Sequence, residues 1–377
     1  MTNGPKPVKK TIQFDSDKVL TACIPFILAL IAFIINGTIS ENTAGFERFY
    51  ASSLNKWMNE LLSILTGFFK FSIAEWIFYA HIVIVPFIVV NLVIRLFKGG
   101  FFKALLSLLQ YVAMLYVAFM FLWGFNYQRQ SISNVMGFEI EPYSVEELYE
   151  TAALLVENAN ELRKYQFENQ NGVTTNVGSY KDVFYRAHEG YDAVGELYPV
   201  LSGFYGRPKP VYTSELMLET TITGVYFPFT GEANVNIAIP DAFLPATTLH
   251  EMAHQRGIAP EDEANFVAYV TAIAHPDKDF NYSGTLMALI HVMNALYAQD
   301  ADLASALRQT YSEGLNRDLE DHRAFWEPYR TEVATVADRV NDTYLKANGE
   351  EQGVKSYGRM VDLVIAYHQH KKLEDSL

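Results

Sequence analysis

The chain has 377 residues, half of them apolar, a single cysteine and a formal net charge of −14. That apolar content excludes a disordered chain, and the length leaves room for two or more structural units. The lone Cys23 excludes an intramolecular disulfide and any cysteine-built zinc cluster. The charge is divided unevenly, +4 over residues 1–124 and −18 over residues 125–377. An acidic bulk domain argues against nucleic acid as a partner, because phosphates need a basic surface.

From the N-terminus, the first elements are three apolar runs, Val19–Ile35, Trp76–Ile94 and Ala104–Trp123. Each comes close to the ~20 residues that a helix needs to cross a ~30 Å hydrocarbon layer. The second carries His81, Pro86 and Asn91, which in lipid should face neighbouring helices. The third ends in an aromatic belt of Phe121, Trp123, Phe125 and Tyr127. Lys6, Lys9 and Lys10 before the first run also suit a signal peptide. However, the apolar stretch is long for one and no small-residue cleavage site follows, so it reads as a retained span. Lys6, Lys9, Lys10 and Lys18 precede the first span, and Arg95, Lys98 and Lys103 crowd the turn between the second and third. Both regions are expected in the cytoplasm. The sequence therefore predicts a multi-pass protein of the cell membrane. Its N-terminus is cytoplasmic, and residues 36–72 and everything after Trp123 lie on the outer face.

Within the outer loop, Phe46, Phe49, Tyr50, Leu54, Trp57, Met58, Leu61 and Leu65 recur at helical spacing. They predict an amphipathic helix, either lying on the membrane surface or packing under the outer domain. After a connecting loop over 125–142, Ser144 and Glu147 form a capping box that opens a helix reaching Leu162. A polar loop at Asn169–Ser179, a helical pattern over about 180–200 and a break at Gly203–Pro210 follow. Between Val211 and Ile239, β-branched and aromatic residues predict two or three short strands. Beyond Leu244 the pattern is helical almost throughout.

The one constellation with specific chemistry is His250-Glu251-Met252-Ala253-His254, an H-E-x-x-H sequence. On a helix, positions i and i+4 share a face, so both imidazoles can bind one zinc ion. The glutamate beside them can then take a proton from a water that fills an open fourth position. Gly257 is placed to end that helix in a left-handed conformation. Pro260 and the acidic run Glu261-Asp262-Glu263 suit the start of a second helix folded back along it. This can bring a carboxylate beside the histidines as third ligand, from Glu261 or Glu263.

Glu261-Asp262-Glu263-Ala264-Asn265 resembles the E-x-x-A-D element of membrane zinc proteases of the CaaX-protease type, which are glutamate zincins. The resemblance implies that Glu261 is the ligand, with Glu263 in reserve. It also implies that Asn265, standing where that family has Asp, supports a zinc-binding imidazole from behind. Over most of its length the chain resembles a family of bacterial membrane proteins known as a domain of unknown function. It shares with them the T-G-x-Y-F-P-F-T-G-E-A-N stretch (Thr223–Asn234), H-E-x-x-H-Q-R-G, E-D-E-A-N-F and a late S-Y-G-R segment (Ser356–Arg359). The expected fold is thus mainly α with a small β-sheet. An α+β zincin-like domain over 125–377 would stand behind an all-α transmembrane anchor over 1–124.

The expected activity is hydrolysis of a peptide or protein substrate by a zinc metallopeptidase, with Glu251 as general base. Val225–Ile239 is expected to supply an edge strand beside the cleft, to which an extended peptide could add. An oxyanion donor is also required. Tyr357 and Arg359, behind the helix cap Ser356, are the preferred candidates, with Tyr226, His275 and His291 behind them. The alternative is a membrane-anchored sensor or scaffold that holds zinc without turnover. An intramembrane protease is excluded, because Asp241–His254 is too polar and too short to span.

Overall fold

The computed structural model describes residues 16–39, 44–348, 350 and 359–376. Three of its helices are long and apolar enough to cross a membrane: α1 (Ser16–Thr38), α3 (Ile73–Lys98) and α4 (Phe101–Leu122). Between the first two, a π-helical segment (Glu47–Asn55) runs on into helix α2 (Lys56–Gly67). Almost nothing on the faces of α1, α3 and α4 is buried in the protein, as expected of helices whose apolar surface meets lipid. Pro86 sits inside α3. The basic residues Arg95 and Lys98 fall in its last turn, two residues before α4 begins.

Helix α2 is inside out. Asn55, Asn59, Ser63 and Thr66, spaced at four, four and three residues, are buried against the rest of the protein. The apolar residues Phe49, Trp57, Leu61, Ile64 and Leu65 point outward. The helix thus packs on the body formed by the later residues through its polar stripe and leaves its apolar stripe exposed.

The remainder is helical around one small sheet. The capping box of Ser144 and Glu147 opens α5 (Val145–Arg163). Strands β1 (Lys209–Pro210), β2 (Gly224–Phe227) and β3 (Glu232–Val235) form a sheet in the order β1-β3-β2. β1 runs parallel to β3 and β2 antiparallel to it. Two strands thus fall within 211–239, and the third lies at the end of the expected break. The polar loop after α5 also contains a two-residue hairpin, Phe167–Glu168 with Thr174–Thr175. Helices α6 (Leu244–Gln255), α7 (Glu261–Ala274) and α8 (Lys278–Gln299) pack on one another, with α5 along α8. After two further helices, Ala301–Arg308 and Glu313–Trp326, come α9 (Glu332–Ala347) and α10 (Arg359–Ser376). The core joins Leu148, Leu155, Leu249, Phe266, Phe280 and Leu286, all fully buried.

The segment between α1 and α3 and the long apolar helices are bound tightly to this body. Lys209 donates to the carbonyls of Thr66 and Phe69. Glu232, in the turn into β3, accepts the first backbone N–H groups of α3, from Ile73 and Ala74, at 3.2 and 2.8 Å. A carboxylate there complements the positive end of the helix dipole. At the other end of the pair, Asn55 donates to the Leu122 carbonyl that closes α4.

Candidate metal centre

Local sequence explains how α6 is held. Ser283 accepts the Ala246 N–H near its start, and Tyr191 donates to the Leu249 carbonyl at 2.6 Å. At its end, Gly257 adopts φ +78°, where a side chain would also crowd Asn55 and Arg129. Arg129 donates to the carbonyls of Arg256 and Gly257 and pairs with the buried Glu47 at 2.7 Å. The two residues after His254 serve the same end. Gln255 donates to the Gly206 and Gly231 carbonyls. The buried Arg256 guanidinium lies between the rings of Tyr191 and Tyr205, where cation–π attraction offsets part of its desolvation.

Pro260 stands one position before α7, as its N-cap residue, so Glu261 is the first residue of that helix. This turn lays Glu261 against both histidines. Its two carboxylate oxygens lie 3.3 Å from His250 Nε2 and 3.6 Å from His254 Nε2. In a tetrahedral zinc site with bonds of about 2.0–2.1 Å, neighbouring donor atoms stand about 3.3 Å apart. The donor set therefore fits that ion. The hydrogen bonding supports the fit. His254 Nδ1 is 2.7 Å from the Ile258 carbonyl, so it carries the proton, and in the neutral ring Nε2 is a lone pair aimed at a carboxylate. Two acceptors facing each other require a cation between them. Without a metal that cation is a proton. Burial alone would lower the His254 pKa, but Glu261 outweighs it and raises the imidazole to about 9. Glu261 itself is drawn far below the usual carboxylate range, its burial overcome by the two histidines.

Glu251 lies beside this trio with its Oε2 buried and without a partner. Burial pushes its carboxyl up to about 7, against the pull of His250 and His254. It is accommodated by β2. The Tyr226 N–H faces its carboxylate, and a side chain at Gly224 would collide with it, 2.3 Å from Oε1. β2 is an edge strand. Thr223 accepts the Asn236 N–H, and in the alternating antiparallel pattern the backbone groups of Gly224 and Tyr226 face away from β3, with the Tyr226 N–H turned to Glu251. Trp123, Tyr127, β2, the trio, Glu251 and α9 enclose a cleft of about 440 Å³. A larger hollow of about 550 Å³ beside His322 and Trp326 is lined by no carboxylate.

Other sequence candidates lie elsewhere. Glu263 turns away, accepting the Ile132 N–H at 3.0 Å, and its burial raises its pKa to about 8. Asn265 is buried on α7 but hydrogen-bonds neither imidazole. The Ile258 carbonyl orients His254 instead, and His250 Nδ1 is buried without a partner. Arg359 opens α10 and pairs with Asp262 at 3.0 Å in a neighbouring cavity, so it does not line the metal cleft. Ser356 and Tyr357 lie outside the described residues. His275 meets the Arg186 carbonyl and the Asp277 N–H with its two ring nitrogens. These contacts occupy both ring nitrogens of His275, the imidazole of a second cluster that also includes Glu189 and Asp277. His291, on α8, is held neutral by burial, with a pKa near 4. Tyr226 does line the cleft, its hydroxyl buried without a partner.

A residue outside all these expectations completes the wall. Tyr344 on α9 accepts the Trp123 indole N–H at 2.9 Å, shares a hydrogen bond with the Tyr127 hydroxyl and lines the cleft. No periodicity signals such a role, because its partners lie more than two hundred residues away in sequence.

A family model described as "Protein of unknown function (DUF3810)" matches residues 50–365, and the chain belongs to that family. No curated protein and no solved structure matches it.

Proposed function

We propose that this protein is a membrane-anchored zinc-dependent metallopeptidase, with its catalytic body on the outer face of the cell membrane. The observation that carries the reading is the trio of His250, His254 and Glu261, with both imidazole Nε2 atoms 3.3 and 3.6 Å from the Glu261 carboxylate, and beside them the buried Glu251, whose Oε2 has no partner. Among the described residues the cluster offers three ligands. Catalytic zinc uses three and keeps a fourth position open, whereas structural zinc is usually closed by four.

His250, His254 and Glu261 would hold the ion, which when bound supplies a Lewis acid that polarises the scissile carbonyl and acidifies the attacking water. An extended peptide lies along the open edge of β2, its carbonyl directed toward the trio. Glu251 takes the proton from the water as its oxygen bonds to the carbonyl carbon. It returns that proton to the amide nitrogen as the C–N bond breaks. The Tyr344 hydroxyl donates to the carbonyl oxygen while that atom carries negative charge. A pKa near 7 suits Glu251 to both accepting and returning a proton.

The test is elemental mass spectrometry of the purified full chain, followed by digestion of a degenerate peptide library. The wild type should hold one zinc per chain and generate new amino termini. Glu251→Gln should hold the zinc and generate none. A Glu251→Gln protein that cleaves at the wild-type rate would overturn the peptidase reading. Absence of stoichiometric zinc in the wild type would overturn it too.

A further inference from the structure

We infer that the metal cleft opens at the bilayer surface, and that its substrate is the membrane-proximal segment of a polypeptide that is itself anchored in the membrane. The location stands on geometry alone, and only the word substrate rests on the peptidase reading above.

The first observation is how close the ligands come to a membrane helix. Trp123 immediately follows α4, and its ring lies 5.6 Å from that of His254. Tyr344, across the cleft, meets both Trp123 and Phe119, the latter inside α4. Four residues of helix rise about 6 Å, and the headgroup layer on each side of the hydrocarbon is about 5–8 Å deep. The cleft therefore sits at headgroup height and not at the far end of an outward-projecting domain.

The second observation is on α9. The residues that line the cleft, Ala337, Asn341 and Tyr344, are flanked on the same helix by Val333, Val336 and Val340. These three valines are 54, 56 and 65% exposed, at helical spacing. Ala334 and Leu345, on the far side of the helix, are buried against the protein, while Glu332, Arg339, Thr343 and Lys346 border the valine stripe and are exposed. A helix whose outward side carries an apolar stripe bordered by basic residues, docked by Tyr344 on the end of a membrane span, has the form of an interfacial helix. The inverted α2 repeats the arrangement on the hairpin that follows β2. Thr66 donates to the Thr230 carbonyl, while Trp57, Leu61 and Leu65 face outward. Two separate helices thus carry an apolar stripe that faces away from the protein, and a bilayer covers both.

A cleft rimmed by lipid is poorly reached by a loop of a folded soluble protein. A chain leaving the bilayer passes it at the right height. At about 3.3 Å per extended residue, the cut would fall within about five residues of the hydrocarbon boundary.

The test uses the full chain reconstituted in phosphatidylcholine vesicles. With Cys23→Ser as background, Val340→Cys and the exposed Thr335→Cys, five residues and so about 140° around α9 from it, each carry a bimane probe. A nitroxide on the fifth acyl carbon should quench the Val340 probe several-fold more than the Thr335 probe, with aqueous iodide showing the reverse order. Equal quenching at both sites, or iodide-dominated quenching at Val340, overturns the placement and would mean that an aqueous partner or solvent meets the valines.

The second arm presents one degenerate peptide library coupled to phosphatidylethanolamine. Either a roughly 3-residue or a roughly 30-residue flexible spacer is used, and the free library is run beside them. The short tether should be cut at least about tenfold faster than the long one at equal surface density. Equal rates overturn the substrate assignment. Failure of the wild type to cut any of the three libraries overturns the peptidase reading and the substrate assignment together, leaving the quenching result to decide the placement.

Discussion

A methyl group on residue 224 would lie 2.3 Å from Glu251 Oε1 and 2.5 Å from its Cδ. Neither can yield easily, because β2 is hydrogen-bonded to β3 and α6 is anchored at both ends. Gly224→Ala should therefore push the general base out of position by a large fraction of an ångström, at little cost to the trio. Displacement of about 1 Å costs about a hundredfold in rate. The expected result is wild-type zinc content with kcat lowered by that order, read from paired metal and peptide-cleavage measurements. Tyr344→Phe tests the opposite wall. Loss of an oxyanion donor typically lowers kcat by about 10²–10³, whereas a merely supporting residue would alter KM or stability. Steady-state kinetics should show a fall in kcat at unchanged KM and unchanged zinc content.

At the scale of elements, the site depends on two helix ends meeting in the right place. The α6 terminus is held by Arg129, whose partner Glu47 comes from the segment between α1 and α3. Arg129→Met would free the Arg256 and Gly257 carbonyls and leave Glu47 buried and unpaired. Breaking one partner of a buried ion pair costs about 3–5 kcal/mol. Thermal unfolding of the zinc-loaded full chain should show a lowered Tm. Competition with a chelator should show weaker zinc retention, because the His254-to-Glu261 turn follows this cap. Much of this unit was legible in sequence. The i, i+4 histidines, the Gly257 stop, the acidic start of α7 and the Ser144 capping box are local patterns, set by backbone geometry within a few residues. The choice between Glu261 and Glu263 was not local, because it turns on which carboxylate meets Ile132. The face that α2 buries was also invisible: periodicity reveals a stripe but does not say whether protein or lipid lies against it. Arg359 looked well placed on a rigid helix start, yet it is engaged by Asp262. Tyr344 carried no signal, since its environment is made by Trp123.

For the whole molecule, a boundary at residue 124 divides the charge but not the packing. Glu47, Asn55, Asn59, Ser63 and Thr66 are buried in contacts with residues beyond that boundary, and Glu232 caps a membrane helix. A fragment of residues 125–377 would expose Arg129 and Lys209 without their acceptors, and would uncover the apolar surface around Trp123. It should purify as an aggregating species with sub-stoichiometric zinc, whereas the full chain in detergent should be monodisperse and zinc-loaded. Size-exclusion chromatography with elemental detection would show both. A monodisperse fragment with one zinc per chain would mean that the membrane part is dispensable for the site.

The inverted helix also bears on the order of assembly. Ser63 and Thr66 of its polar stripe find partners at Gly206, Lys209 and Thr230, which lie 143, 143 and 164 residues further along. When α2 emerges during synthesis, none of them exists, and only its apolar side has anything to hold. The bilayer then acts as a temporary bench, keeping the helix oriented while more than a third of the chain is made. The later segments must come back to the membrane to close the metal cleft. The site is completed late and in place, so a chain unfolded in solution has lost the surface on which its last step is performed.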